Sequence, residues 1–310
     1  MSQFAEALSW TGCHGVRVDG DAVGFGRVNG TPLATVTVRR GEVAPPDGTQ
    51  LWSQHGQAVV SDEHIEVARE LHRRSDGRLV VSGSHKPFVD VDVRNRLIVV
   101  GEGTDSSQRQ MLASFALPLV LHGTGALLLH ASACADRAGA TVICGDTGVG
   151  KSTALVRLAN AHWQAVTEDI CSIDLRGDTP HVWPGPPWVR LARGTGGPGG
   201  SEVLFESGDK TAWDIAPRQP AGPVPIARIV VLDPPTGEVL RADEISATDA
   251  IRSLARHAVW LGEPDERGPS LFGRVARLTA KVPAYRVRLP RGDVWTNAMS
   301  DLFAAGELIS

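Results

Sequence analysis

The rhythm of apolar and polar positions changes near residue 104. Before it, apolar residues recur at every second position in short runs. Val16 and Val18, then Val23 and Phe25, stand on either side of Asp19-Gly20-Asp21, Thr35-Val36-Thr37-Val38 alternates, and Leu79–Val81, Phe88–Val93 and Leu97–Val100 continue the style. A period of two between turn residues predicts strands, and the first pair predicts a hairpin about Asp19-Gly20-Asp21. Glu63–Arg74 breaks the pattern, with Ile65, Val67, Ala68 and Leu71 at helical spacing, so a helix is expected there. Nothing in residues 1–104 carries evident chemistry. That part reads as a small β-rich domain, structural or engaged in substrate recognition.

From residue 105 the pattern becomes mixed. Met111, Leu112, Phe115, Leu119 and Val120 predict a connecting helix over residues 105–123, interrupted by Pro118 and ending near His122-Gly123. Leu127–Cys134 and Ala140–Cys144 flank Asp136-Arg137-Ala138-Gly139 and predict a hairpin. Strands are expected at Gln164–Val166, Ile226–Leu232 and Tyr285–Leu289, and helices at Ser246–Leu261, Leu271–Val282 and Val294–Ala305. Such alternation points to an α/β domain over residues 105–310. Between Pro184 and Gly200, and above all at Gly194–Gly200, proline and glycine dominate. A segment of that kind is expected to pack poorly, as a disordered surface loop or a mobile lid over a substrate.

The candidate chemistry begins with Ala140–Thr153, ATVICGDTGVGKST, a β-branched run that opens onto a glycine-rich loop. Gly145, four residues, then Gly150-Lys151-Ser152 is the spacing of a phosphate-binding P-loop. Gly145, Asp146, Thr147, Gly148, Val149 and Gly150 would present backbone N–H groups to a polyphosphate, the glycines permitting positive φ. Lys151 would reach the β- and γ-phosphates, and the Ser152 hydroxyl would sit on Mg²⁺, with Thr153 behind it. A helix over Ser152–Ala161 would point its N-terminus at the anion. ATP, or something very like it, and Mg²⁺ are the expected ligands. Glu168-Asp169 follow Lys151 by 17 and 18 residues, one helix plus a return strand. Both carboxylates should therefore sit near the loop mouth, one orienting Mg²⁺ and the other taking a proton from an attacking hydroxyl. His130, taken alone, reads as a hydrogen-bonded residue at the end of an apolar strand.

Composition narrows the class. The 310 residues are 42% hydrophobic and 21% charged with a net charge of −4, which describes a globular protein without a polycationic track for nucleic acid. No apolar run reaches the length of a membrane span, and no signal peptide opens the chain. Cys13, Cys134, Cys144 and Cys171 lack metal or redox spacing and read as small buried hydrophobes in a reducing cytoplasm. Self-association into a homo-oligomer stays open.

Taken together, His130-Ala131-Ser132 on a strand, the Gly145–Thr153 loop and Glu168-Asp169 resemble the catalytic core of the HPr kinase/phosphorylase family. The likeness extends to that family's shorter, divergent relatives, some of which accompany peptide-modifying gene clusters. His130 precedes Lys151 by 21 residues, as the family's pattern expects. Gly208-Asp209-Lys210, Pro225–Asp233 and Val282–Val287 look like the relatives' later blocks, so the resemblance covers roughly residues 77–290. It implies a P-loop kinase core of the HPr kinase/PEP-carboxykinase type and transfer of the γ-phosphate of ATP to a serine hydroxyl. Asp169 then matches the proton-accepting carboxylate, Glu168 stands where the family has another Asp and would support the metal with Ser152, and His130 matches an active-site His. The family's Glu-x-Arg-Gly block, tied to reverse phosphorolysis, is missing; Trp183–Leu191 stands in its place. Neither the reverse reaction nor HPr itself as substrate is expected. Arg190 and Lys210 become candidates for the missing positive charge around the phosphate.

The expectation is an ATP-dependent kinase acting on a hydroxyl, a serine of a peptide or protein, with ribosomally made lasso-type precursors as one class of acceptor. A small-molecule kinase acting on a sugar, amino acid or nucleoside is a second reading. A third is a regulatory module that binds ATP without transferring phosphate.

Overall fold

The computed structural model describes residues 9–21, 25–60, 63–83, 86–237, 241–259 and 264–290. Its first half is a nine-stranded sheet formed by β1 (Ser9–Cys13), β2 (Val16–Gly20), β3 (Arg27–Asn29), β4 (Ala34–Arg40), β5 (Thr49–Val60), β6 (Glu63–Arg73), β7 (Leu79–Gly83), β8 (Lys86–Asp92) and β9 (Leu97–Val100). The strand order is β3-β1-β2-β4-β9-β8-β7-β6-β5. Val16, Val18, Val36, Val38, Val89, Val91, Ile98 and Val100 are buried, as alternation requires of a sheet with one covered face.

Two expectations for this half are corrected. The segment read as a helix at Glu63–Arg74 is strand β6, paired along its length with β5 and, from Arg69 to Arg73, with β7. Ile65, Val67 and Leu71 satisfy a period of two as well as a helical one, and the ladder to β5 along the whole segment, joined by β7 at Leu71, decides between them. The first hairpin turns at His14-Gly15, both at positive φ, and not at Asp19-Gly20-Asp21. Asp19 and Gly20 instead continue β2 in parallel with β4, and Asp21 is tied to β4 by its N–H on the Val38 carbonyl. Val23 lies outside the described residues.

The connector is helical as its periodicity predicts, with α1 (Asp105–Met111) capped by the Thr104 hydroxyl, a π-turn at Leu112–Ala116, and α2 (Leu117–His122). Pro118 opens α2, where a helix tolerates proline.

The second half is built on β10 (Leu127–Asp136), β11 (Gly139–Gly145), α3 (Lys151–Asn160), β12 (Gln164–Thr167), β13 (Ile170–Asp174), β14 (His181–Val182), β15 (Trp188–Ala192), β16 (Val203–Ser207), β17 (Lys210–Asp214), β18 (Val224–Gly237), β19 (Arg241–Glu244), α4 (Ala247–His257), α5 (Pro264–Thr279) and β20 (Ala284–Pro290). The β10–β11 hairpin closes with Asp136 opposite Gly139, as expected. β11, β18 and β20 run parallel, and β18 also pairs with β14, so an eight-stranded sheet curls back on itself. The C-terminal end of β11, where Gly145 faces Leu232, is thus the edge from which the glycine-rich loop leaves. The helix expected at Val294–Ala305 lies outside the described residues.

The Pro/Gly stretch is corrected in part. Trp188–Ala192 is a strand of the three-stranded sheet β15-β17-β16, while Gly194–Gly200 is the largely exposed connection from β15 to β16, packed down at Gly197 and Pro198. Gly197 lies so close to the Trp213 ring that a Cβ would collide with it. The Gly199 N–H donates to Asn160 Oδ1 at 2.8 Å, and the Arg218 guanidinium donates to the Gly199 carbonyl. At Gly197 glycine serves close approach, whereas Gly194, Gly196 and Gly200 face open space. The two halves share one apolar cluster that runs from Val16 and Val36 through Leu117 and Leu128 to Ile170 and Trp188. Trp183, fully buried, receives Gly15 and Gly30 of the first half.

Candidate active site

Sheet register builds this site before any side chain does. β12 and β13 lie end to end along the same strand: β10 pairs with β12 through Ala133–Ala135 and with β13 through Leu127–His130. Glu168-Asp169 is the short excursion between them. Thr167 Oγ1 donates to the Ile170 carbonyl, the Ile170 N–H to the Glu168 carbonyl, and the Ala131 N–H to the Asp169 carbonyl. Asp169 takes φ 74°, a left-handed conformation that Asp tolerates better than most residues. The acidic pair is thereby turned out of the sheet, toward both His130 and α3.

Gly145, Gly148 and Gly150 have φ of 153°, 82° and 108°, and a Cβ on Gly148 or Gly150 would meet no neighbour. Conformation demands glycine at these two, and the space beside them is open. Gly150 caps α3 without any side-chain hydrogen bond, so the first-turn N–H groups remain available to an anion. Asp146 and Thr147 are exposed, Val149 is buried against the loop, and Thr153 is half-buried. Lys151 does not extend outward. Its ammonium donates to the carbonyls of Gly145 (2.8 Å) and Asp146 (3.1 Å), and burial lowers its pKa against the pull of the nearby acids. The Ser152 hydroxyl donates to Glu168 Oε1 at 3.0 Å, which joins loop and acidic pair directly.

Asp169 is held on two sides. His130 Nδ1 lies 3.0 Å from the Asp169 carbonyl and 3.1 Å from its Oδ1, and Arg190 donates to Oδ2 at 2.6 Å. Both oxygens facing Nδ1 are acceptors, so Nδ1 carries the hydrogen, and Nε2 is the nitrogen left to face a ligand. Arg190 on β15 keeps 12% of its side chain exposed, and its Nε is 3.7 Å from Glu168 Oε2. It therefore bridges the two carboxylates. Burial works against ionising Asp169, but the His130 hydrogen bond and the Arg190 charge outweigh it and hold the carboxyl well below its usual range. Glu168 goes the other way: burial raises it, Arg190 opposes that and Asp169 adds to it. The two adjacent carboxylates are thus driven apart in acidity, Asp169 held ionised and Glu168 pushed toward its neutral form until a nearby cation favours its charge. Lys210, at the start of β17, is half-buried and close enough for its charge to act on both acids. Every site residue expected from the sequence is gathered here.

Three residues without sequence signal join them. His257, at the end of α4, lies within electrostatic reach of Asp146, Lys151 and His130. Arg69 of β6 acts on Arg190 and Asp169. His14, from the first β-turn, is 1% exposed and lies beside Asp169, Arg190 and Trp188 around a void of about 10 Å³. Its Nε2 is 3.2 Å from the Ala113 carbonyl. Burial lowers its pKa to about 4, against the pull of that carbonyl and of Asp169. His14 is therefore neutral in the fold, and only the unfolded chain takes a proton as pH drops below about 6.5. Stability is full above that pH and falls as pH descends toward 4, by up to about 3 kcal/mol for this group. His122, lowered to about 4 by burial and by Arg274, adds to the same loss. Urea unfolding of His14→Asn at a series of pH values should show a shallower decline than the parent; an unchanged slope would show that His14 titrates alike in both states.

For the metal, the described residues hold no cage of three or more His, Cys, Asp or Glu. Mg²⁺ does not require one: it keeps most of its shell as water and phosphate oxygen and takes one or two protein oxygens. Ser152 Oγ and Glu168 Oε1, already neighbours beside an uncapped helix N-terminus, fit that demand.

Fold and site define a mixed α/β protein of several sheets with a P-loop beside an Arg-bridged acidic pair. No family model and no curated protein matches the chain. Among solved structures it is similar to the Hpr(Ser) kinase/phosphatase from Coxiella burnetii, with a TM-score of 0.32 and 11% identity over 58% of this chain and 96% of that one. None of the described helices is long and apolar enough to cross a membrane.

Proposed function

We propose that this protein is an ATP-dependent phosphotransferase that phosphorylates a hydroxyl, a serine on a peptide or protein. One observation carries the reading. The Ser152–Glu168 hydrogen bond couples a complete P-loop to Asp169, which His130 and Arg190 hold in place. A module that only binds nucleotide needs the loop but has no use for an oriented acid–His–Arg group beside it.

In this reading the loop N–H groups and the α3 N-terminus hold the triphosphate, and Lys151 exchanges its two carbonyl partners for phosphate oxygens. Mg²⁺ bound at Ser152 and Glu168 would supply charge neutralisation across the β- and γ-phosphates. Asp169 orients the acceptor hydroxyl and receives its proton. So depressed a carboxylate is a weak base, which suits a loose transition state in which the proton leaves late. His130, fixed by its Nδ1 bond to Asp169, presents Nε2 to the transferred group. Most of the rate then comes from positioning and preset charge. With Trp183 and Trp188 of the Trp183–Leu191 stretch packed into the core, the stretch serves to place Arg190, and reverse phosphorolysis is not part of the proposal.

Asp169→Asn keeps the shape, can accept from only one of His130 and Arg190, and cannot take a proton. Transfer to acceptor should fall by about 10² or more, while calorimetry should find Mg·ATP affinity nearly unchanged. Glu168→Gln should instead raise the Mg²⁺ concentration needed for half-maximal rate. Parent-like transfer by Asp169→Asn, measured with a true acceptor, would sink the role given to this residue.

A further inference from the structure

A cleft of about 390 Å³ opens between the first sheet and the helical connector, lined by Arg69, Lys86, Phe88, Gln110, Met111 and Phe115 among others. That volume lies within the range of small-ligand sites, about 300–1,000 Å³. Its floor is apolar, since Phe88, Met111 and Phe115 pack on the shared core. Its charge is of one sign: among the described lining residues there are two cations and no carboxylate. Arg69 is largely buried, with its guanidinium 5.7 Å from the centre of the Phe115 ring. No described carboxylate forms an ion pair with it. Asp169 acts on it only at longer range, so an anionic ligand in the cleft would relieve the cost of withdrawing this cation from water.

The cleft's wall is linked to the acids through Arg69 and Gln110. Arg69 is near enough to act on Arg190 and Asp169. Gln110 on α1 accepts a hydrogen bond from Ser207 Oγ at 2.8 Å, and Ser207 lies opposite Lys210 in the sheet that carries Arg190. Phe115 stands in the π-turn of the connector, an irregularity of the kind that helices often keep at functional sites.

We propose that this cleft is the acceptor's docking site and takes a peptide segment with an acidic side chain beside an aromatic or aliphatic one. The assignment rests on the kinase reading for the word acceptor, though not for the cleft's preference. The apolar side chain lies on Phe88, Met111 and Phe115, and its carboxylate neighbour meets Arg69 and Lys86. Two cations over an aromatic floor suit a short acidic peptide; a nucleic acid backbone would need a longer basic track.

The test uses the full chain and two fluorescent peptides that contain Ser and Phe, one with Asp flanking the Phe and one with Lys. By anisotropy at low salt, the parent should bind the Asp peptide at least about tenfold more tightly than the Lys peptide, with the difference shrinking as salt rises. Arg69→Gln with Lys86→Gln should erase the difference, and Arg69→Glu should favour the Lys peptide. Because the charge reversal gains a ligand, it separates docking from misfolding. Lys151→Ala should keep the parent's preference. Equal binding of both peptides by the parent, no binding of either, or an unaltered preference in the double variant overturns the assignment. Selective binding without phosphate transfer to the bound serine would instead overturn the kinase reading and leave the cleft assigned.

Discussion

Lys151→Ala should lose phosphoryl transfer by about 10² to 10³, the scale found when one preset charge aimed at a developing transition state is removed. Its ammonium is the one cation rooted in the loop itself, at the first position of α3, and its present partners are two carbonyls of the same loop. Those carbonyls belong to Gly145 and Asp146, so the resting ammonium already stands where the loop closes around a phosphate. Removing it forfeits two hydrogen bonds, about 1 kcal/mol each, so the variant should melt slightly lower and still fold. Arginine should not rescue it, because the wider guanidinium does not fit the space between two backbone carbonyls. Initial rates with saturating ATP and acceptor check this. A variant that transfers phosphate at the parent's rate means that the loop does not serve a triphosphate.

Arg190→Gln should be the most destabilising single change in the site, and it should also stop transfer. Arg190 is the bridge between Glu168 and Asp169, and Glu168 is itself only 5% exposed. Without the guanidinium the two neighbouring carboxylates lose the cation that pairs with both, and Lys210 and Lys151 act on them only at longer range. Breaking a buried pair in this way costs about 3–5 kcal/mol. Part of that is relieved when Glu168, already raised by burial, takes a proton. Arg190→Lys should recover some stability but little activity, since one ammonium cannot reach both carboxylates in the fork geometry. Urea unfolding read beside transfer per folded molecule separates the two effects. Parent stability in Arg190→Gln would show that solvent already screens the acids.

How much of this was legible in the chain follows the range of the interactions. The P-loop and its helix were readable because spacing, conformation and chemistry are all local to Gly145–Thr153. The β10–β11 hairpin was readable for the same reason. Glu168-Asp169 could be placed by counting one helix and one strand, but not the bulge along β10 that turns the pair toward His130. Arg190 was only a candidate cation, since its meeting with the acids depends on the fold of Trp183–Leu191 around buried tryptophans. His14 and Arg69 left no trace at all. Their contacts with the site span more than 90 residues and arise from the packing of one half on the other. The errors have equally physical causes. Ile65, Val67 and Leu71 fit two periods, and the neighbouring strands β5 and β7, whose pairing no period within the segment displays, select one. Within 194–200 the packing of Gly197 went unread because a sequence shows no Trp213 ring lying against it.

The central claim is transfer of phosphate from ATP to a serine hydroxyl, and the most direct test follows the phosphate itself. Parent protein is incubated with γ-labelled ATP, Mg²⁺ and an equal mixture of serine peptides and small hydroxylated metabolites, then the products are separated. The account predicts label on peptide serine, stable to acid, dependent on Mg²⁺ and absent with Lys151→Ala. Label on a metabolite alone, or nucleotide bound and recovered intact with no acceptor labelled, would contradict it.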